Sequence, residues 1–184
     1  MSESKQGKIL LQKSMIKLLS IADLVTLLNA MLGFLALLLV FSKEFQLAAS
    51  LILLGLLADG LDGMVARRFG TGKIGESLEP LADMISLSVA PLVLFYVMYF
   101  DSVVSQPSMH LLLGVVIVFS LLCSIIRLSS FSLLKEKQFF IGLPTSASTV
   151  FLVLTSFLTP EIWLALLGII LLSVAMVSSI RFPK

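Results

Sequence analysis

Six apolar runs, each close to the length needed to cross a bilayer, follow one another through this 184-residue chain with only short polar connections between them. They cover residues 24–41, 45–64, 81–100, 110–128, 143–158 and 163–180. A helix needs about 20 mainly apolar residues to traverse the hydrocarbon core, and in lipid every backbone N–H and C=O must find its partner inside the protein. Open-edged sheets fail that requirement. The runs therefore predict an all-α integral membrane protein with six transmembrane helices in one bundle. With 58% of residues hydrophobic and 13% charged, the chain has too little polar surface for a soluble domain.

The basic residues give this bundle a direction. If the N-terminus is cytoplasmic, twelve of the thirteen Lys and Arg fall on the inner side and only Lys43 falls outside, as the positive-inside rule requires. The expected localisation is the cell membrane, multi-pass, with both termini cytoplasmic. The net charge of +2 then serves topology and contact with anionic headgroups, not nucleic acid. Residues 1–22 carry Lys5, Lys8, Lys13 and Lys17 among apolar residues spaced as on one helical face. They are expected to form a juxtamembrane amphipathic helix lying on the inner leaflet, ahead of a transmembrane domain over residues 23–184. The lone Cys123 excludes an internal disulfide, and Tyr96, Tyr99 and Trp163 fall where headgroup-level anchors are expected.

Against this apolar background, residues 58–87 (ADGLDGMVARRFGTGKIGESLEPLADMISL) stand out. Asp59 and Asp62 are three apart and share a helical face near the inner end of the second run; Glu79 and Asp83 are four apart at the start of the third. The two runs are antiparallel, joined by roughly a dozen residues by this reading, so the pairs are expected to face each other as a four-carboxylate cage. An isolated ionised group near the membrane centre costs roughly 3 kcal/mol or more. Divalent cations would offset that cost, and oxygen-only ligands suit Mg²⁺, Mn²⁺ or Ca²⁺, whereas a single His110 on the opposite side gives zinc no support. Pairing with Arg67, Arg68 or Lys73, or capping of a helix end by Glu79, is the plainer alternative; it accounts for Glu79 and Asp83 but explains Asp59 and Asp62 poorly, since they follow the almost wholly apolar stretch from Gln46 to Ala58. Gly60, Gly63 and Ala66 leave bare backbone beside them, and Arg67 can engage phosphate oxygens.

The pattern Asp59-x-x-Asp62-Gly63-x-x-Ala66-Arg67, followed by Gly75-x-x-x-Glu79-x-x-x-Asp83, resembles the signature of the CDP-alcohol phosphotransferases, D-x2-D-G-x2-A-R-x8-G-x3-D-x3-D. Here the spacer before Gly75 is seven residues, not eight, and Glu79 stands in place of the third aspartate. The resemblance implies a six-helix membrane enzyme, a homodimer, with two divalent metal ions (Mg²⁺ or Mn²⁺) held by Asp59, Asp62, Glu79 and Asp83. It implies that Asp83 also takes the acceptor's proton, and that Gly63, Ala66 and Arg67 border the CDP moiety.

Further segments resemble the phosphatidylserine and archaetidylserine synthase branch: Asp23 to Asn29 at the start of the first run, Asp83 to Pro91, Arg127-Leu-x-x-Phe131 and Phe140-Ile-Gly-Leu-Pro144. By that resemblance Thr26 and Asn29 join the CDP-lipid site, and Arg127 binds the acceptor. The implied reaction is attack of the serine hydroxyl on the lipid-linked phosphate of CDP-diacylglycerol or CDP-archaeol, releasing CMP, at a cytoplasmic active site. Ser130 replaces a second arginine of the branch, which leaves glycerol 3-phosphate, inositol phosphate or an amino alcohol as other acceptors within the same chemistry. From another class, a divalent-cation transporter would also explain buried acids.

Overall fold

A computed structural model describes residues 19–69, 74–130, 139–141, 143–158, 161–178 and 181–183. The amphipathic helix expected within residues 1–22 falls almost wholly outside them. So do the side chains of Ala66, Arg67, Phe69 and Glu76 and those of the two short strands.

Helix α1 (Ile21–Phe41) starts at a capping box: the Asp23 N–H donates to Ser20 Oγ at 3.2 Å, and the Ser20 N–H donates to Asp23 Oδ2 at 2.7 Å. Two otherwise orphaned donors are satisfied, so the buried Asp23 is accounted for by helix capping. The helix ends in a tight turn in which Lys43 takes the left-handed backbone, φ 62°, and the Glu44 N–H reaches the Leu39 carbonyl at 2.9 Å. This turn returns the chain as α2 (Phe45–Phe69), which makes the most extensive contact in the molecule, against α1.

The third rod is α3 (Gly75–Asp83), a π-helical stretch (Met84–Val89) and α4 (Ala90–Val103) in succession. The π stretch has a local cause. Pro91 has no N–H to give to the preceding turn, and the Leu87 carbonyl, which residue 91 would engage in a regular helix, instead accepts from Thr149 Oγ1 at 2.6 Å. In lipid that substitution of partner is necessary, because no water is present to satisfy the carbonyl. Helix α5 (Pro107–Ser130) follows, then α6 (Thr145–Leu158), the helix that supplies Thr149, and α7 (Ile162–Val177).

Among the described residues four stretches are long and apolar enough to cross a membrane: 21–41, 45–65, 77–103 and 107–130; α6 and α7 are apolar but shorter. The burial pattern is that of a multi-pass membrane protein. Leu24, Phe34, Leu57, Leu111, Leu122 and Leu171 face outward, while Asn29, Asp62, Ser86, Thr149 and Ser173 are inside. One apolar cluster joins α4, α5, α6 and α7 around Phe95, Leu113, Leu152 and Ile169; another joins α1, α2 and α4 around Ala36, Ile52 and Leu94.

Three expectations are corrected. The connection expected to span about a dozen residues is only 70–74, because α2 runs on to Phe69 and α3 begins at Gly75, so both acid pairs lie inside helices. Helix starts at Gly75, so Glu79 and Pro80 sit within α3 and not at its first turn. The all-α class holds, and beside the helices lies one small antiparallel ladder, β1 (Phe139–Ile141) on β2 (Arg181–Pro183), in which Phe140 pairs with Phe182. Tyr99 is no surface anchor: it is buried, stacks on Phe95 at a centroid distance of 4.5 Å, and donates its hydroxyl to the Thr155 carbonyl at 3.3 Å. Trp163 is exposed, as an anchor requires, and Tyr96 pairs with His110 Nε2 at 2.8 Å.

Candidate active site

The buried charged side chains that lipid should exclude, Asp23, Asp62, Asp83 and Arg127, gather at one end of the bundle. Five elements meet there: the first turns of α1, the last turns of α2, the end of α3, the last turn of α5 and the first turn of α6. Asp59, Glu79 and Asp83 line one cleft of about 130 Å³, and Arg127, Thr145 and Ser146 line it with them. Asp59 and Asp83 interact directly, and Asp83 lies within electrostatic range of Glu79 and Asp62 as well.

Helix α1 positions two of the acids. Thr26 Oγ1 lies 2.9 Å from Asp62 Oδ2 and 3.2 Å from the Ala22 carbonyl, while Asn29 Nδ2 donates to Asp83 Oδ1 at 2.9 Å. Both carboxylates are buried, and each takes a neutral donor from a neighbouring helix 36 or 54 residues away in sequence. Neutral donors orient a carboxylate and leave its charge in place, whereas a lysine or arginine would cancel it.

Asp62 and Asp83 each lie within electrostatic range of the other three acids. Asp59, Glu79 and Asp83 share the cleft, while Asp62 is drawn against α1. Among the described residues no three acid, histidine or cysteine side chains converge on one point as ready ligands. The donor set still fits hard divalent ions in kind: oxygen only, several carboxylates, and a half-buried site that raises the cost of leaving their repulsion unbalanced.

Arg127 closes the opposite wall. It is buried, and its Nε donates to the Leu143 carbonyl at 3.3 Å, which ties the guanidinium to the segment leading into α6. The sequence reading missed Thr145 and Ser146. The available signal was a pair of hydroxyls opening an otherwise apolar run, directly after Pro144. On α2, Gly63 is exposed and a Cβ built on it would meet nothing within 4 Å, so the open space beside Asp62 is real. The backbones of Ala66 and Arg67 continue that helix, and their side chains lie outside the described set.

Outward-facing leucines around an inward-facing cluster of acids and one arginine define a polytopic membrane protein with a polar reaction or transport site at one end. The model of the CDP-alcohol phosphatidyltransferase family matches residues 19–180, and the chain belongs to that family. It is 36% identical to the archaetidylserine synthase of Methanothermobacter thermautotrophicus over 94% of this chain and 73% of that protein. It is 38% identical to a CDP-diacylglycerol-serine O-phosphatidyltransferase of Methanocaldococcus jannaschii, covering 91% of this chain and 76% of the relative. A Bacillus subtilis protein with the latter name is 32% identical, covering 87% and 88%.

Proposed function

We propose that this chain transfers the lipid phosphate of CDP-diacylglycerol or CDP-archaeol to the hydroxyl of serine and releases CMP. The observation that carries the reading is the shared cleft: Asp59, Glu79 and Asp83 on one wall and Arg127 on the other, in a family of CDP-alcohol phosphatidyltransferases whose similar members are named for serine.

In this reading the serine oxygen attacks the lipid-linked phosphorus, the bond to the CMP oxygen breaks, and the serine proton passes to Asp83. Asn29 fixes that carboxylate by donating to its Oδ1. A base held in one orientation contributes typically 10²–10⁴-fold to proton transfer. Asp59, Asp62, Glu79 and Asp83 would hold two divalent ions, Mg²⁺ or Mn²⁺, which supply charge neutralisation at the diphosphate and orientation of the acceptor oxygen. Arg127 would hold the acceptor. Gly63, Ala66, Arg67, Thr26 and Asn29 would border the CDP-lipid, with Thr26 and Asn29 acting through Asp62 and Asp83.

The finer architecture belongs to the same proposal. Helices α6 and α7 complete six spans, residues 1–22 lie on the inner leaflet ahead of a transmembrane domain from residue 23, and the protein is a homodimer in the cell membrane. Both termini and the cleft face the cytoplasm, where a soluble acceptor and CMP exchange.

The deciding experiment supplies purified, folded protein with CDP-diacylglycerol or CDP-archaeol, Mg²⁺ or Mn²⁺, and serine, glycerol 3-phosphate, inositol phosphate or ethanolamine, and measures CMP. Release with serine that stops on chelation and returns with the metal is the expected result. No CMP with any pair removes the synthase reading. A narrower outcome is expected for Gly63→Ala. Adding a methyl where nothing lies within 4 Å should stabilise the helix by about 0.5–1 kcal/mol in thermal unfolding, while the KM for CDP-lipid rises if the nucleotide approaches that bare backbone.

A further inference from the structure

We propose that Thr149 is a positioning residue for the transfer reaction: its hydroxyl holds the Leu87 carbonyl out of the regular helical ladder and so keeps the wide π turn that aims Asp83 and Glu79 into the cleft. The inference rests on the transferase reading above. It adds a residue from outside the cleft, since Thr149 is fully buried and does not line it.

A π turn holds one residue more than a regular turn, and here the Ala90 N–H reaches back five residues to the Ile85 carbonyl. The helical phase before the stretch is therefore offset from the phase after it by one residue, about 100° at 3.6 residues per turn. Helix α4 is not free to take up that angle. Its Ala90 and Leu94 are packed into one apolar cluster, and its Leu92, Phe95 and Tyr99 into the other. If the stretch closed to a regular helix, α3 would have to turn instead, and Asp83 and Glu79 would swing off the cleft that they line with Asp59.

What keeps the turn wide is a choice of acceptor. A threonine inside a helix ordinarily gives its hydroxyl proton to the carbonyl four residues earlier. That carbonyl, of Thr145, lies 3.1 Å from Thr149 Oγ1, but the Leu87 carbonyl is nearer, at 2.6 Å. The hydroxyl has one proton to give. The Thr145 carbonyl has a regular helical donor in the Thr149 N–H, whereas the donor that a regular helix would offer Leu87 is residue 91, a proline. Asp83 is thus fixed from two sides, directly by Asn29 of α1 and at a distance by Thr149 of α6. Ser88 supplies the contrast within the same stretch: it is buried, and its hydroxyl has no partner among the described residues.

Thr149→Val keeps the β-branched shape and removes the donor, and it is assayed in the full-length protein with CDP-diacylglycerol, Mn²⁺ and serine. The kcat for CMP release is expected to fall on the order of 10²-fold, the scale of a misplacement of about 1 Å at the reacting group, with the KM values for serine and CDP-diacylglycerol unchanged. Thr149→Ser restores the donor and should recover kcat, and Ser88→Ala should match the wild type. The double variant Thr149→Val, Pro91→Ala gives the Leu87 carbonyl a backbone donor in place of the hydroxyl. It should regain the wild-type unfolding temperature yet keep the low kcat, and it carries the test if Thr149→Val alone yields no folded protein. Wild-type kcat in Thr149→Val, or kcat that returns with stability in the double variant, overturns the proposal, because the hydroxyl then only fills an unpaired carbonyl. An equal loss of kcat in Ser88→Ala overturns it too. If the wild-type protein releases no CMP with any acceptor, the transferase reading itself fails, and the proposal with it.

Discussion

Asp83→Asn is expected to lower CMP release on the order of 10³-fold, equivalent to about 4 kcal/mol of lost transition-state stabilisation, while leaving the protein at least as stable as the wild type. The two effects part because Asp83 has separable connections. The substituted amide keeps an oxygen that can accept from Asn29 Nδ2, so the tie between α1 and α3 survives. What disappears is the charge. Asp83 is buried against Asp59, within range of Glu79 and Asp62, and a neutral amide at this position lessens that crowding of carboxylates. The proton acceptor and one proposed metal ligand vanish with it. Steady-state CMP release and thermal unfolding in the same detergent give the two readouts. Activity retained at the wild-type level would move the base elsewhere, and activity lost together with the fold would reduce Asp83 to a structural residue.

The acids were legible in the sequence because their spacing already states the geometry: three apart and four apart place each pair on one helical face, and antiparallel runs place the pairs at similar depth. Their surroundings were not. Thr26 and Asn29 could be singled out through resemblance, but their donation to Asp62 and Asp83 depends on how α1 rests against α2 and α3, and nothing local in sequence encodes a contact across 36 or 54 residues. Tyr99 shows the same limit. Its position near a helix end suggested the headgroup layer, and its rotation about the helix axis, set by packing on Phe95 and Thr155, turned it inward. The π stretch had a visible cause in Pro91, yet its remedy, the hydroxyl of Thr149, comes from a helix 62 residues away from the carbonyl it satisfies.

The close approach that makes these long-range contacts possible depends on Gly33. A Cβ built there would lie 2.5 Å from Ser86 Cα and 2.9 Å from Ser86 N, both backbone atoms of the π stretch that no rotamer change can move aside. Gly33→Ala is therefore expected to destabilise the protein by about 1–3 kcal/mol through overpacking, and Gly33→Val to prevent recovery of folded protein. The consequence reaches the site because Asn29 and Thr26 lie four and seven residues before Gly33, on the same side of α1. Pushing α1 off Ser86 lengthens the bonds to Asp83 and Asp62 together, so Gly33→Ala should lose CMP release by a larger factor than any surface substitution of equal thermal cost. Gly114→Ala is the matched control: it lies within a helix, and a Cβ there meets nothing within 4 Å, so both stability and activity should hold. If Gly33→Ala unfolds at the wild-type temperature with full activity, α1 does not seat against the π stretch as described. The positioning of both carboxylates by Thr26 and Asn29 would then need another explanation.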